Sequence, residues 1–382
     1  MSDFAIDPVA LTADLIRCPS VTPAEAGALD LLQGVLEGAG FACTRVPRGD
    51  VENLYARFGT AEPCFAFAGH TDVVPVGQVD DWSVEPFSAE IRGDRMIGRG
   101  AVDMKSGVAA FVAAAMTVAP RVGERGSIAL IITGDEEGDA VDGTAALLDW
   151  MAAAGEKPDF CVVGEPTSAN VMGDQIKIGR RGSTTAFVTV TGRQGHTAYP
   201  DRALNPLPAL ARIAARLSAL TLDEGTAHFQ PSTLAVTTMD VGNPANNVIP
   251  RQGRLTLNIR FNDRHSAASL AALVDGIAAE EAARDGIEAL VSWRVTGEAF
   301  LTQPGDRVEQ IVNAVKVTTG TTPTLGTGGG TSDARFIRAV CPVVEFGLVG
   351  HGMHAVDEGV EISQIPILAE AYAAMLTRFF DL

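Results

Sequence analysis

The chain has 382 residues, 46% hydrophobic and 20% charged, which is enough for two folded domains with large cores and unlike a disordered chain. Its net charge of -18 argues against nucleic acid or an anionic membrane as partner, and any anionic substrate would depend on local arginines. The five cysteines (Cys18, Cys43, Cys64, Cys161, Cys341) are dispersed without a C-x-x-C pair, and the acidic N-terminus lacks a signal-peptide pattern; both point to a reducing, cytoplasmic setting.

Apolar spacing predicts helices over 8–17 and 25–39, the second with Leu29, Leu32, Val35 and Leu36 on one face and Gly38 and Gly40 at its end. Strands follow at 53–58 and 64–68, the latter wholly apolar, as expected of a central strand covered on both faces. It runs into Gly69-His70-Thr71-Asp72. A loop then leads to Gly98-Arg99-Gly100-Ala101-Val102-Asp103-Met104-Lys105, and a long helix starts at Ser106. Its Ala-rich stretch, 108–119, is too short to span a bilayer and reads as a core helix. The apolar strand 127–132 ends in Thr133-Gly134-Asp135-Glu136-Glu137-Gly138, and a helix covers 144–153. Strand 159–163 ends in Gly164-Glu165-Pro166. Much later, strand 343–346 precedes the turn that holds His351 and His354.

Between 182 and 296 the texture changes. Leu255, Leu257, Ile259 and Phe261 alternate with Thr256, Asn258 and Arg260, the period of a strand with one wet face. A second alternating stretch, 184–191, and helical patterns around 207–220 and 270–277 complete an inserted α+β domain. The expected fold class is α/β: a mixed, largely parallel-sheet catalytic domain (1–181 and 297–382) with an inserted α+β lid or dimerisation domain (182–296).

Polar, ligand-type residues therefore follow the carboxyl ends of buried strands, the edge at which open α/β sheets build their sites. Three adjacent carboxylates at such an end repel one another and resist burial. Either the loop is solvated, or a cation offsets the charge with one glutamate as ligand and its neighbour as base. Singly, each group has a plainer role: His70 a strand-end histidine, Asp103 a helix cap, Glu165 a turn residue, His354 one of two histidines in a glycine-rich loop. Jointly, His70-x-Asp72, Asp103, Glu136-Glu137, Glu165 and His354 form a carboxylate and imidazole set of the kind a zinc pair prefers. The Gly328–Ser332 stretch lacks the spacing and lysine of a phosphate loop.

The motifs GHTDVVP (69–75), GRGAVDMK (98–105), TGDEEG (133–138), VGEPT (163–167), GRRGS (179–183), GHTAYP (195–200), NVIP (247–250), GGTSDARF (329–336) and MHAVDE (353–358) span nearly the whole chain. On these the sequence resembles the di-zinc aminoacylase and carboxypeptidase superfamily, and within it the desuccinylase branch. The resemblance implies two Zn2+ ions (Co2+ or Mn2+ possible in one site), His70 and Glu165 on one, Glu137 and His354 on the other, Asp103 between them and Asp72 orienting His70. It implies Glu136 as general base, a cis peptide at Asp103-Met104, and His196 as an oxyanion donor supplied by the second copy of a homodimer. Arg181 and Arg260 would grip carboxylates, with Tyr199, Asn247, Gly330 and Thr331 lining the pocket. The implied activity is a metal-dependent amide hydrolysis of a small dicarboxylate amino-acid derivative, N-succinyl-L,L-2,6-diaminopimelate, in lysine and diaminopimelate biosynthesis. An acetylornithine deacetylase, a dipeptidase or a non-catalytic binding member are the alternatives. Val76 and Ser106-Gly107 depart from the pattern without touching a ligand position, and His351 is an extra histidine without a role.

Overall fold

The computed structural model describes residues 4–382; Met1–Asp3, the start of the acidic N-terminus, lie outside the described residues. The backbone divides into two compact units. One takes in the chain up to Ile178, Thr302–Gly326 and Ser332–Leu382; the other is Gly179–Leu301 with Thr327–Thr331. The second unit is slightly wider than the 182–296 stretch and takes in the segment bearing Gly330 and Thr331.

The first unit is built on an eight-stranded sheet ordered Ala42–Arg45, Leu54–Phe58, Ser127–Thr133, Cys64–His70, Phe160–Val163, Val343–Glu345, Gln175–Lys177 and Thr324–Gly326. Its middle four strands are mutually parallel, and antiparallel pairings appear toward the edges. Every residue of Cys64–His70 and of Ser127–Thr133 is buried, which is why both read as unbroken apolar runs. Phe67 stacks on Phe111 with ring centroids 4.1 Å apart and meets Tyr372 edge-on at 5.5 Å. These contacts tie the central strand to helices Ser106–Val122 and Gln364–Phe379. The stretch Ala101–Arg125, which contains helix Ser106–Val122, is long and apolar enough to cross a membrane by length and composition alone, but 89% of its apolar window is buried inside the fold. It is a core helix.

In the second unit a four-stranded antiparallel sheet runs in the order Thr233–Asp240, Gln252–Phe261, Gly182–Thr191, Glu288–Gly297. Val188, Val190, Leu255, Leu257 and Ile259 share a core with Leu210 and Ile213 of helix Leu207–Ser218 and Val274 of helix Ala267–Ala283. The inward residues are those that alternate in the sequence.

Because the middle strands are parallel, their carboxyl ends share one edge. His70 closes one strand and sits in register with Thr133 of the next. Glu136 and Glu137 follow Thr133, Glu165 follows Val163, and His354 lies beyond Glu345. The topology alone therefore brings ligand-type segments separated by hundreds of residues to one place.

Candidate metal centre

Asp103 does not cap the helix that follows it: no side chain caps that helix, and Asp103 itself is non-helical (φ -118°, ψ 96°). Its peptide bond to Met104 is cis. One Asp103 oxygen lies 3.1 Å from His70 Nε2, and the other lies 3.4 Å from His354 Nε2. His354 Nε2 is also 2.8 Å from Glu137 Oε1, and His70 Nε2 is 3.9 Å from Glu165 Oε1. Two donor groups result, His70 with Asp103 and Glu165, and Asp103 with Glu137 and His354; within each, the ligand atoms lie within 4.8 Å of one another. A third such grouping, His70 with Glu136 and Glu137, competes for the same space. Imidazole and carboxylate donors, shared through a single aspartate and without sulfur, fit a pair of divalent ions.

The charges are strongly coupled. Burial pushes Asp103 up, but hydrogen bonds from His354 and His70 outweigh it and hold the carboxyl below its usual range. Burial would lower His70, yet the hydrogen bond and charge of Asp103 raise its pKa well above that of a free imidazole. Hydrogen bonds to Asp103 and then Glu137 push His354 up to about 10. Glu136 is raised far above a free glutamate, first by burial and then by the charge of Glu165. The two adjacent glutamates thus differ: Glu137 pairs with His354, while Glu136 lies in a site that favours a held proton.

Asp72 lies behind His70 more closely through its backbone than through its carboxylate. His70 Nδ1 meets the backbone carbonyl of Asp72 at 2.9 Å, whereas the nearer carboxylate oxygen is 3.7 Å away. The Asp72 carboxylate instead accepts the amides of Glu136 (3.1 Å) and Glu137 (3.0 Å). It orients the acidic turn, and its backbone orients the histidine. Asp135 stabilises the far side of that turn: its Oδ2 accepts the amides of Val141 and Asp142.

Several participants were not singled out from the sequence. Buried Asp333, within GGTSDARF, accepts from Thr144 Oγ1 at 2.8 Å and is pushed up to about 6 by burial. Its charge adds to the rise at Glu136. Arg99 and Glu358 form a buried ion pair at 2.7 Å. Each lies within one of the motifs read from the sequence, and that place is the signal that could have found it.

The remaining candidates lie in the second unit. Among the described residues, Arg181 Nε is buried and has no hydrogen-bond partner. Arg260 is lowered by burial and then by the like charge of Arg181. His196 is exposed; its Nδ1 accepts the amide of Ala198, and its ring meets Tyr199 edge-on at 5.7 Å. The Asn247 carbonyl accepts the amide of Thr197 at 3.0 Å. The Gly330 carbonyl accepts from Arg180 at 3.0 Å, and Thr331 ends the same loop.

A mixed α/β sheet with this cluster at its carboxyl edge defines a metal-dependent hydrolase. The chain belongs to the family described as "Peptidase family M20/M25/M40", whose model matches residues 66–378. Its relatives include the succinyl-diaminopimelate desuccinylase of Dinoroseobacter shibae, 61% identical over 98% of this chain and 99% of that one. The protein of the same name from Ruegeria pomeroyi is 57% identical over 99% of this chain and all of the other. Among solved structures, the fold matches an M20 family metallo-carboxypeptidase from Sulfolobus solfataricus (TM-score 0.77, 17% identity, covering 99% of this chain and 100% of that one). It also matches the Bacillus subtilis YXEP protein, described as a dinuclear metal binding peptidase (TM-score 0.75, 15% identity, 98% of each chain).

Proposed function

We infer that the chain hydrolyses the succinyl amide of N-succinyl-L,L-2,6-diaminopimelate, giving succinate and L,L-2,6-diaminopimelate for lysine and diaminopimelate biosynthesis in the cytoplasm. The observation that carries the reaction class is the division of labour in the acidic turn. Glu137 is engaged with His354, while the half-buried neighbouring Glu136 has its proton affinity raised by desolvation and then by the charge of Glu165. The substrate rests on the name and high identity of the relatives.

In this reading His70, Asp103 and Glu165 hold one ion, and Asp103, Glu137 and His354 the other. Both sites would take zinc, with cobalt or manganese as an option in one. When bound, such a pair acidifies water and draws electron density from the amide carbonyl. Glu136 takes the proton of the attacking water as oxygen bonds to the carbonyl carbon. It then delivers that proton to the amide nitrogen as the C–N bond breaks. His196 donates to the developing oxyanion, supplied by the second copy of a homodimer. Arg181 and Arg260 form paired hydrogen bonds to the substrate carboxylates and overcome the acidic net charge locally. Tyr199, Asn247, Gly330 and Thr331 are further candidates for contact with the substrate.

The test compares turnover of N-succinyl-diaminopimelate with that of N-acetylornithine and dipeptides. Preference for either of the others would overturn the substrate assignment. Glu136→Gln should keep its metal content and lose about 10²–10⁴-fold in kcat; retained activity would remove Glu136 from the role of base.

A further inference from the structure

Arg99 and Glu358 are among the most deeply buried charges in the protein, with side chains 2% and 0% exposed. Arg99 Nη1 donates to Glu358 Oε2 at 2.7 Å and to the Ala355 carbonyl at 3.2 Å. Nη2 reaches the His354 carbonyl at 3.3 Å and the Pro75 carbonyl at 3.4 Å, and the guanidinium lies 5.1 Å from the centre of the Trp82 ring. The other Glu358 oxygen accepts the amides of Val102 (3.0 Å) and Asp103 (3.2 Å). One ion pair therefore grips the backbone of Asp103 through its carboxylate and the backbone of His354 through its guanidinium. It also touches the end of the segment that carries His70 and Asp72.

Neither gripped segment is held by regular structure. Asp103 is outside helical geometry, and His354 has a left-handed backbone (φ 62°) within an exposed turn. A left-handed non-glycine residue persists where its surroundings over-determine it. Here the carbonyls of His354 and Ala355 are both tied to Arg99. A fork of fixed donors suits that task, because a guanidinium can serve two carbonyls and a carboxylate at once.

We propose that the Arg99–Glu358 pair is a positioning device that sets the mutual placement of Asp103 and His354 as metal ligands, and so tunes affinity at the centre they share with Glu137. This rests on the reading of those residues as ligands. It assigns Arg99 and Glu358 no contact with substrate or with a reacting atom.

The experiment uses full-length protein stripped of metal and titrated calorimetrically with Zn2+, with the visible spectrum of the Co2+ form as a report on ligand geometry. Arg99→Met leaves a buried carboxylate unpaired, so the double variant Arg99→Met/Glu358→Gln, which removes both charges, and Arg99→Lys, which keeps the charge but not the fork, are measured beside it. In folded variants one Zn2+ step should weaken by about 10–100-fold, the usual effect of losing a ligand's supporting partner. The Co2+ spectrum should change, and Arg99→Lys should recover only part of the affinity. Wild-type affinities and an unchanged Co2+ spectrum in the folded double variant and in Arg99→Lys would overturn the positioning role alone. Wild-type protein that takes up no divalent ion would overturn the ligand assignment and this inference together.

Discussion

Replacing Asp72 with asparagine separates two accounts of that residue. The side chain is buried, and its two oxygens accept the amides of Glu136 and Glu137 at 3.1 and 3.0 Å. Asparagine keeps one oxygen acceptor and turns an amino group toward the second amide, so one hydrogen bond to a charged acceptor becomes a donor facing a donor. Such a bond is worth about 1.5–3 kcal/mol. Relief of the carboxylate's own burial, which raises its pKa, offsets part of this. A net loss of about 1–2 kcal/mol follows, seen as a drop of a few degrees in Tm. The effect on chemistry should be larger, because the freed amide belongs to one of the two glutamates whose directions matter. A displacement of about 1 Å at such a group costs on the order of 10²-fold in rate. The assay is kcat at saturating metal. His70 Nδ1 is held by the Asp72 carbonyl, which the substitution leaves in place, so saturating metal should not rescue turnover. If added Zn2+ returns Asp72→Asn to wild-type kcat, the carboxylate acts by supporting His70 and the reasoning fails.

Removal of the metal should expose a pH dependence. In metal-free protein His354 is pushed up to about 10 by Asp103 and Glu137. A raised folded-state pKa gives stability that is fully present below the unfolded value of about 6.5 and lost as pH rises through the folded value. Melting temperature of the stripped protein should therefore fall between pH 7 and 10, and that of the loaded protein should fall less; parallel slopes would count against the ligand pairing. Arg260→Met should raise KM for the succinylated substrate by about 10–100-fold with little change in kcat, as expected when a charged hydrogen bond that serves ground state and transition state alike is lost; an unchanged KM would remove it from the pocket. Gly107→Ala should destabilise by about 1–3 kcal/mol through overpacking, since its new Cβ would sit 2.7 Å from the Gly164 carbonyl beside Glu165; a denaturant midpoint equal to wild type would show that the helix can shift.

Much of the fold was legible because the central strands are buried on both faces. Cys64–His70 and Ser127–Thr133 have no solvent side, so their sequences carry unbroken apolar runs ending in polar residues. The outer strands of the second unit were not picked out. Thr233–Asp240 and Glu288–Gly297 are sheet edges, and Met239, Leu290 and Val295 are apolar residues on exposed positions. Those residues blur the alternation by which a half-buried strand is recognised.

The candidate site was legible as a set of residue types but not as a set of contacts. A strand end announces that His70, Glu137, Glu165 and His354 can meet; it does not say which oxygen meets which nitrogen. Asp72 shows why. From sequence, an aspartate two residues after a histidine suggests a carboxylate behind an imidazole. In the folded chain the strand ends at His70, and Asp72 turns its carboxylate toward the neighbouring strand's acidic turn. The difference is a choice between the carbonyl and the carboxylate of one residue, and only the register of two parallel strands decides it. The same holds for Arg99 and Glu358, separated by 259 positions and joined across the fold. No local pattern encodes such a pairing. Burying two charges costs stability unless each finds its partners, so residues of this kind are found by asking what a buried charge is holding. Here it holds the backbone of Asp103 and His354, two candidate ligands.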